Sequence, residues 1–475
     1  MKKRRSTATS NFGAGARESH DASAFYERFR APDVTDDDTV LPPKPVDDPF
    51  VCGDARDMSA IADGSVALVV TSPPYFAGKQ YEEELERDGV PSTYIEYLEL
   101  LRDVFAECVR TLEPGGRIAV NVANLGRKPY RSLSADVIGI LERDLGLLLR
   151  GELIWQKGEG ASGSCAWGSY RSAANPVLRD VTERVIVASK GRFDRARTVA
   201  QRKADGLPHE NTMMTDDFLA STLDVWSMPS ESARRVGHPA PFPIELPEQL
   251  IQLYTFVDDL VLDPFMGSGS TLVAAETLGR RYIGYDTDPE YVSIARERVA
   301  AAVATADTTD PDRSALDAAR TVGSSAGKLA AEVLQTAGFE IVAVKRKARR
   351  TSVTIDLVAV DAQGGEWWFD VAGPFVAHRG GLALTDEVWR LLGRAHAIRG
   401  RSPEQRYVAL TTELPRRSSE GDVAMRAAGP GALFDAIDIT SDVDQARLTS
   451  YARSGAADPQ PGFWRPADLA PDTRA

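Results

Sequence analysis

At 475 residues the chain is longer than a single core usually grows, so two or more domains are expected. Its hydrophobic fraction of 43% and charged fraction of 26% are those of an ordinary water-soluble protein, and no run approaches the roughly 18 apolar residues of a membrane span. A net charge of -13 excludes a surface that is basic throughout and leaves room only for a local basic face.

The start, Met1-Lys2-Lys3-Arg4-Arg5, is followed by polar residues and Gly, not by the apolar stretch of a secretory signal, so a cytoplasmic location is expected. Residues 1–45 read as a flexible arm, with Pro32, the Asp36-Asp37-Asp38 run and Pro42-Pro43-Lys44-Pro45 and little apolar period. Over 46–155 strands and helices alternate: an apolar strand at Val66–Val70, a helix at Tyr94–Leu112, strands at Arg117–Val122 and Leu147–Trp155, and a helix at Ala135–Leu145. Residues 156–237 are irregular. Over 238–302 the alternation resumes, with helices at Ile244–Phe256, Ser270–Leu278 and Pro289–Val299 and strands at Leu260–Leu262 and Arg281–Tyr285. Such alternation predicts an α/β doubly wound, mostly parallel sheet with helices on both faces. An Ala-, Thr- and Asp-rich linker over 303–325 leads to a smaller C-terminal α/β domain over 326–453, and 454–475 reads as a disordered tail. Cys52, Cys108 and Cys165 lie far apart with no neighbouring ligand pair, so no metal site is expected and the usage fits a reducing compartment.

Two short runs carry chemistry. Val261-Leu262-Asp263-Pro264-Phe265-Met266-Gly267-Ser268-Gly269-Ser270-Thr271 is a strand, a Gly turn and a helix start. The glycines let backbone approach a ligand closely, and the helix start offers N–H groups; no Lys follows the second Gly, so it is not a phosphate-binding Walker loop. The next strand ends at Asp286, about 20 residues past the turn, where open α/β nucleotide folds place a carboxylate on ribose hydroxyls. The second run is Thr71-Ser72-Pro73-Pro74-Tyr75, at the end of a buried strand. Two prolines fix the backbone and remove two N–H donors, which leaves a rigid, carbonyl-rich edge able to accept hydrogen bonds from an amino group, with a Ser acceptor and a Tyr face beside it.

Together these runs resemble the amino-methyltransferases of restriction–modification systems: Thr-Ser-Pro-Pro-Tyr is similar to their catalytic motif and Asp263–Thr271 to their cofactor motif. Catalytic motif before cofactor motif is the order of the β class, a circular permutation of the Rossmann-like methyltransferase fold with a seven-stranded sheet. Gly53-Asp54-Ala55, His238-Pro239-Ala240-Pro241-Phe242-Pro243 and Glu113-Pro114-Gly115-Gly116 add to the likeness, which spans roughly residues 50–300. It implies a catalytic half over 46–155, a target-recognition region over 156–237 and a half binding S-adenosyl-L-methionine over 238–302. The implied catalytic residues are Ser72, Pro73, Pro74 and Tyr75, with Ser72 and the Pro73 carbonyl on the amino group of a base flipped out of double-stranded DNA and Tyr75 stacked on its ring. The implied cofactor residues are Asp54, Pro239, Ala240, Asp263, Phe265, Gly267, Ser268, Gly269, Ser270, Thr271 and Asp286. Ser before Pro-Pro is typical of enzymes that modify cytosine N4, and Asp of those that modify adenine N6. A cognate restriction endonuclease is an implied partner.

Ten basic residues against five acidic ones lie between Gln156 and Asp205, within the implied target-recognition region, so DNA contacts are expected from Arg171, Asn175, Arg179, Arg192, Arg195 and Arg197. In the C-terminal domain the element order is similar to the core of PD-(D/E)xK restriction nucleases, with Asp356 and Asp370 at the positions of the metal-binding acids. Ala372 stands where the catalytic Lys would be, which puts cleavage in doubt, and an unrelated module for DNA or partner binding is the alternative.

Overall fold

In the computed structural model the described residues are 34–74, 93–124, 130–157, 172–176, 178, 181–213, 215–228, 242–307, 326–349, 351–372 and 381–469. They form two sheets. The first has eight strands: β1 (Phe50–Cys52), β2 (Val66–Thr71), β3 (Leu112–Val122), β4 (Leu148–Gln156), β5 (Thr182–Ser189), β6 (Val225–Ser227), β7 (Leu260–Asp263) and β8 (Arg281–Asp286). Their spatial order is β1-β8-β7-β2-β3-β5-β4-β6. Only β5 runs against the others, antiparallel to both β3 and β4.

Alternation of side chains divides the core. Val66, Val69, Ile118, Val120 and Leu262 face one layer, with Tyr97, Leu101, Val104 and Phe105 of helix α1 (Tyr94–Thr111) and Leu133 and Val137 of α2 (Leu133–Ile138). Leu68, Val70, Ala119, Val185 and Val261 face the other, with Leu246, Leu250 and Ile251 of a helix at Glu245–Tyr254 and Ala274 and Ala275 of one at Ser270–Thr277. The helices thus cover both faces, as the α/β pattern implies. Numbered with the short helices at Val199–Ala204 (α3) and Thr215–Ser221 (α4), these two are α5 and α6, and Pro289–Asp307 is α7.

The strand count differs from the seven expected. β6 adds an eighth on the far edge, parallel to β4 through Ile154↔Val225 and Trp155↔Trp226. The stretch 156–237 is accordingly not irregular throughout: β5 lies inside it and inserts between β3 and β4. Its buried run Val185–Ala188 has no period-2 pattern because both faces are covered, and basic residues on either side hide it. The arm also needs correction, since residues 34–45 are attached. Thr35 donates to the Gly191 carbonyl, Arg192 and Arg197 donate to the carbonyls of Asp37 and Asp38, and Val40 packs with Ala196 and Leu207.

The second sheet follows the expected order and adds to it. Helix α8 (Ala326–Ala337) leads into β9 (Glu340–Lys347), β10 (Thr354–Val360) and β11 (Glu366–Val371), an antiparallel meander. Helix α9 (Thr385–Arg399) then crosses to β12 (Arg406–Thr411), parallel to β11. Beyond the expected elements come α10 (Glu420–Ala428), β13 (Asp435–Asp438) and α11 (Asp442–Ser454), for an order β13-β12-β11-β10-β9. The tail reading fails for 455–469. Trp464 is fully buried, donates its indole N–H to the Phe434 carbonyl at 2.9 Å and stacks edge-on with Phe463. Among the described residues no helix is long and apolar enough to cross a membrane.

A buried Trp with a satisfied N–H is costly to truncate, so Trp464→Ala should lower unfolding free energy by about 3–5 kcal/mol in a denaturant titration. A change below about 1 kcal/mol would return the segment to the loose tail read from its composition.

Candidate active site

In a parallel sheet the strand tips at the carboxyl ends share one edge, and ligands gather where neighbouring connections part. β7 and β2 are neighbours here, with Leu68↔Val261 and Val69↔Leu262 in register, so Thr71 and Asp263 end side by side. The Thr71 hydroxyl donates to Asp263 Oδ1 at 2.6 Å, and the Phe265 N–H donates to the same oxygen at 3.1 Å. From the cofactor turn, the Thr271 hydroxyl reaches back to the Val70 carbonyl at 3.3 Å. The proline edge and the glycine turn, 192 residues apart in sequence, are therefore stitched together at adjacent tips.

The catalytic edge continues from Thr71 into Ser72, Pro73 and Pro74, of which Ser72 and Pro74 remain partly accessible. Tyr97 of α1, itself buried, donates its hydroxyl to the Pro74 carbonyl at 2.8 Å. Nothing in the sequence singled out Tyr97, since an aromatic on the inner face of a helix looks like core. Tyr75 lies outside the described residues, as do Pro239, Ala240, Arg171 and Arg179.

The glycine turn is built for close approach. Gly267 and Gly269 have φ of 47° and 78°, values L-residues rarely adopt, and a Cβ on Gly269 would stand 2.7 Å from the Ala295 Cβ. The Gly267 N–H donates to Asp286 Oδ2 at 2.9 Å, and Met266 N–H to the Tyr285 carbonyl, which binds the turn to the tip of β8. Asp286 is partly accessible, and burial raises its carboxyl above the ordinary range. On the next tip, Gly53 N–H donates to the Asp286 carbonyl, so Asp54 sits one residue away. Hydrogen bonding from Arg56 holds the Asp54 carboxyl below its usual value. The tips thus bring together Ser72, Pro73, Pro74, Asp263, Phe265, Gly267, Gly269, Asp286 and Asp54.

Three further residues of the expected cofactor set support the turn from within. Ser268, Ser270 and Thr271 are buried with their hydroxyls engaged by protein: Ser268 accepts from Arg298 of α7, Ser270 donates to the Phe242 carbonyl, and Thr271 donates to Val70. Their hydroxyls brace the turn. Arg298, which also bonds the Ser268 carbonyl, is a support that no sequence pattern singles out.

Asp263 is the most perturbed group at the site. It is fully buried, and desolvation raises its carboxyl to about 6 against the lowering effect of the Thr71 and Thr271 hydroxyls and the Phe265 N–H. Its Oδ2 is buried without a hydrogen-bond partner, an acceptor left open for a cationic group entering the cleft.

The basic residues counted between Gln156 and Asp205 are largely placed elsewhere. β5 is antiparallel, so Lys190–Lys203, which follow it, lie at the amino ends of the other strands, away from the tips just described. Arg195 is buried between Glu113 and Asp259 and donates to the Tyr254 carbonyl. Arg202 is fully buried against the same Glu113. Arg192 and Arg197 hold the arm, Arg197 also pairing with Asp205. Arg192, Arg195 and Arg197 are therefore structural, and the expectation that they read DNA is withdrawn. Asn175 alone of the expected contacts that are described stays exposed. At the tips themselves the sheet carries a different polar cluster: Asn121 of β3 donates to Glu183 of β5 at 2.5 Å, and Lys157 pairs with Glu183 from just past β4.

Strand tips clasped around a glycine turn, with a carboxylate on the next strand, define an open α/β fold of the nucleotide-cofactor type. Residues 66–297 match the family model described as DNA methylase, of the N6/N4 methyltransferases, and this part of the chain belongs to that family. Among curated proteins the chain is similar to the type II methyltransferase M.MthZI of Methanothermobacter thermautotrophicus, 29% identical over 52% of this chain and 74% of that one. It is also similar to M.MjaI of Methanocaldococcus jannaschii, 27% identical over 53% and 90%. Among solved structures, one solved as a DNA modification methylase of Thermus thermophilus complexed with S-adenosyl-L-methionine is 32% identical over 53% of this chain and 92% of that chain, with a TM-score of 0.40. The PvuII cytosine-N4-specific DNA methyltransferase is 19% identical over 62% and 96%, also with a TM-score of 0.40.

The raised carboxyl of Asp263 fixes a sign for pH dependence. A folded value of about 6 above an unfolded one near 4 means that the folded state holds the extra proton between them, so this group's stabilising contribution is present below about pH 4 and is lost as pH rises through about 6. In the cofactor-free chain, wild-type stability relative to Asp263→Asn should fall by up to about 3 kcal/mol over that window. Parallel curves for the two chains in denaturant titrations at pH 4 to 7 would contradict the assignment.

Proposed function

We propose that the chain is a β-class, site-specific DNA methyltransferase that methylates the exocyclic N4 amino group of a flipped cytosine in double-stranded DNA. The observation that carries this reading is the Thr71–Asp263 hydrogen bond, because it sets the Ser72-Pro73-Pro74 edge beside the glycine turn. The cofactor is S-adenosyl-L-methionine, which supplies a methyl group activated on a sulfonium. The residues present suit it: the open Asp263 Oδ2 for an ammonium, the Phe265 side chain as a wall, Asp286 for ribose hydroxyls and Asp54 for the adenine end.

The protein's part is alignment. Ser72 and the Pro73 carbonyl accept hydrogen bonds from the two amino protons, which localises the nitrogen lone pair toward the methyl group. Tyr97 occupies the Pro74 carbonyl, and the Pro73 carbonyl and the Ser72 hydroxyl are the acceptors assigned to the base. The base must leave the duplex to reach them, and Tyr75 is assigned to stack on it. Ser72 in place of an acid favours cytosine over adenine N6. A restriction endonuclease for the same sequence is the natural partner, and the protein would work in the cytoplasm.

The C-terminal sheet gives little support to DNA cleavage. Asp356 and Asp370 do lie side by side, the Asp356 N–H donating to Asp370 Oδ1 at 3.3 Å. Each is already answered by protein: Lys345 pairs with Asp356, while Arg394 and the Tyr407 hydroxyl bind Asp370. Ala372 is buried where a Lys would be needed, and no group of three metal-ligating side chains occurs among the described residues.

Two measurements test the reading. Sequencing of modified bases in DNA from cells expressing the chain should show N4-methylcytosine at one short sequence; N6-methyladenine would shift the substrate, and unmodified DNA would reject the activity. Ser72→Ala should leave the calorimetric affinity for S-adenosyl-L-methionine within about twofold and slow methyl transfer by roughly a hundredfold or more. Equal loss of both would remove Ser72 from the base-binding edge.

A further inference from the structure

The formal charge of -13 is unevenly spread: residues 326–475 hold 19 Lys and Arg against 19 Asp and Glu, so the whole deficit lies in residues 1–325. A methyltransferase portion that is strongly acidic is poorly placed to hold a polyanion by itself, because the phosphate backbone supplies most non-specific affinity. A basic run of five charges in six residues lies elsewhere, at Lys345-Arg346-Lys347-Ala348-Arg349-Arg350.

Its described residues occupy the end of β9 and the turn into β10. β9 is an edge strand, paired only with β10, and its residues are exposed or half-buried along its length. The charges on it are of two kinds. Lys345 pairs with Asp356, and Arg346 pairs with Glu366 while lying over the Trp368 ring at 5.4 Å. Lys347 and Arg349 are exposed, and their side chains have no hydrogen-bond or ion-pair partner among the described residues. Lys345 takes a left-handed φ of 54°, an uncommon backbone state for a Lys.

Register places these cations together. Thr354 lies across from Lys347, and its carbonyl accepts from Arg394 of α9. Lys345 stands level with Asp356, whose neighbour on β11 is Asp370. Lys345 and Arg394 thus answer the two carboxylates one for one, while Lys347, two residues along the same edge strand, and Arg349 in the adjoining turn add two positive charges that no acid among the described residues pairs with.

We infer that this edge is a second DNA-contacting surface, in which Lys347 and Arg349 bind duplex phosphates without reading sequence and retain DNA for the methyltransferase portion. The inference rests on the reading of the chain as a DNA methyltransferase. Phosphate contacts from exposed, unpaired cations carry affinity and salt dependence but no base preference.

The test is Lys347→Ala/Arg349→Ala in the full chain, with Lys328→Ala/Arg453→Ala as a control of equal charge on α8 and α11. Binding of a 30-base-pair duplex is measured from 50 to 300 mM salt. The slope of log affinity against log salt should become shallower by roughly two and affinity at 0.1 M salt should drop by about tenfold or more, with the control close to wild type. KM for DNA should rise with kcat unchanged, and affinity for S-adenosyl-L-methionine should not move. An unchanged slope and affinity, or an equal drop in the control, overturns the inference, as does a loss seen with single-stranded RNA and not with duplex. Wild type that binds and methylates no DNA at all is a different outcome, and overturns the methyltransferase reading beneath it.

Discussion

A carboxylate taken fully out of water survives only if its surroundings repay part of the lost hydration, and Asp263 is held by a Thr hydroxyl and a backbone N–H. Those two bonds come from different places. Thr71 belongs to the strand that ends in Ser-Pro-Pro, and Phe265 belongs to the glycine turn. One buried group thus fixes the spacing between the edge assigned to the base and the turn assigned to the cofactor. Its second oxygen is left unpaired, so the fold carries an unfavourable feature at the point where a cationic ligand group would relieve it. Tyr97 on the Pro74 carbonyl and Arg298 on the Ser268 carbonyl hold the two halves from either side.

The sheet accounts for why widely separated runs can cooperate. Parallel neighbours deliver their carboxyl ends to one side, so the tips of β1, β8, β7 and β2 present Asp54, Asp286, the glycine turn and the proline edge in spatial succession. The antiparallel β5 has the opposite effect. It carries the chain back to the far side, where Arg195 and Arg202 neutralise Glu113 and Asp259 inside the protein. Such arginines are fixed by hydrogen bonds and desolvated, and have nothing left to offer a phosphate.

How much of this was legible in sequence follows from the range of the interaction concerned. Glycines that need positive φ, prolines that end a strand and an acid at the next strand end are local demands, and they drew attention to Gly267, Gly269, Pro73 and Asp286, which the structure places together at the strand tips. Local pattern also gave the element order of the second sheet as far as β12. Partners distant in sequence were not legible. A count of charges between Gln156 and Asp205 could not tell a buried Arg195 from an exposed one, because its acids, Glu113 and Asp259, lie 82 and 64 residues away. Hydroxyls at Ser268, Ser270 and Thr271 stand in the cofactor-like motif, yet Arg298, Phe242 and Val70 engage them from within the protein. Trp464 sits in a Pro- and Asp-rich stretch that composition marks as loose, yet one aromatic with a place in the core holds it down.

The central claim is that a single cleft joins the proline edge and the glycine turn across the Thr71–Asp263 bond. A crystal structure of the chain with S-adenosylhomocysteine tests it most directly. The account predicts the ligand ammonium on Asp263 Oδ2, its ribose on Asp286 and its sulfur directed at the carbonyl edge of Pro73. A ligand seated elsewhere, or one whose sulfur faces away from that edge, would contradict it.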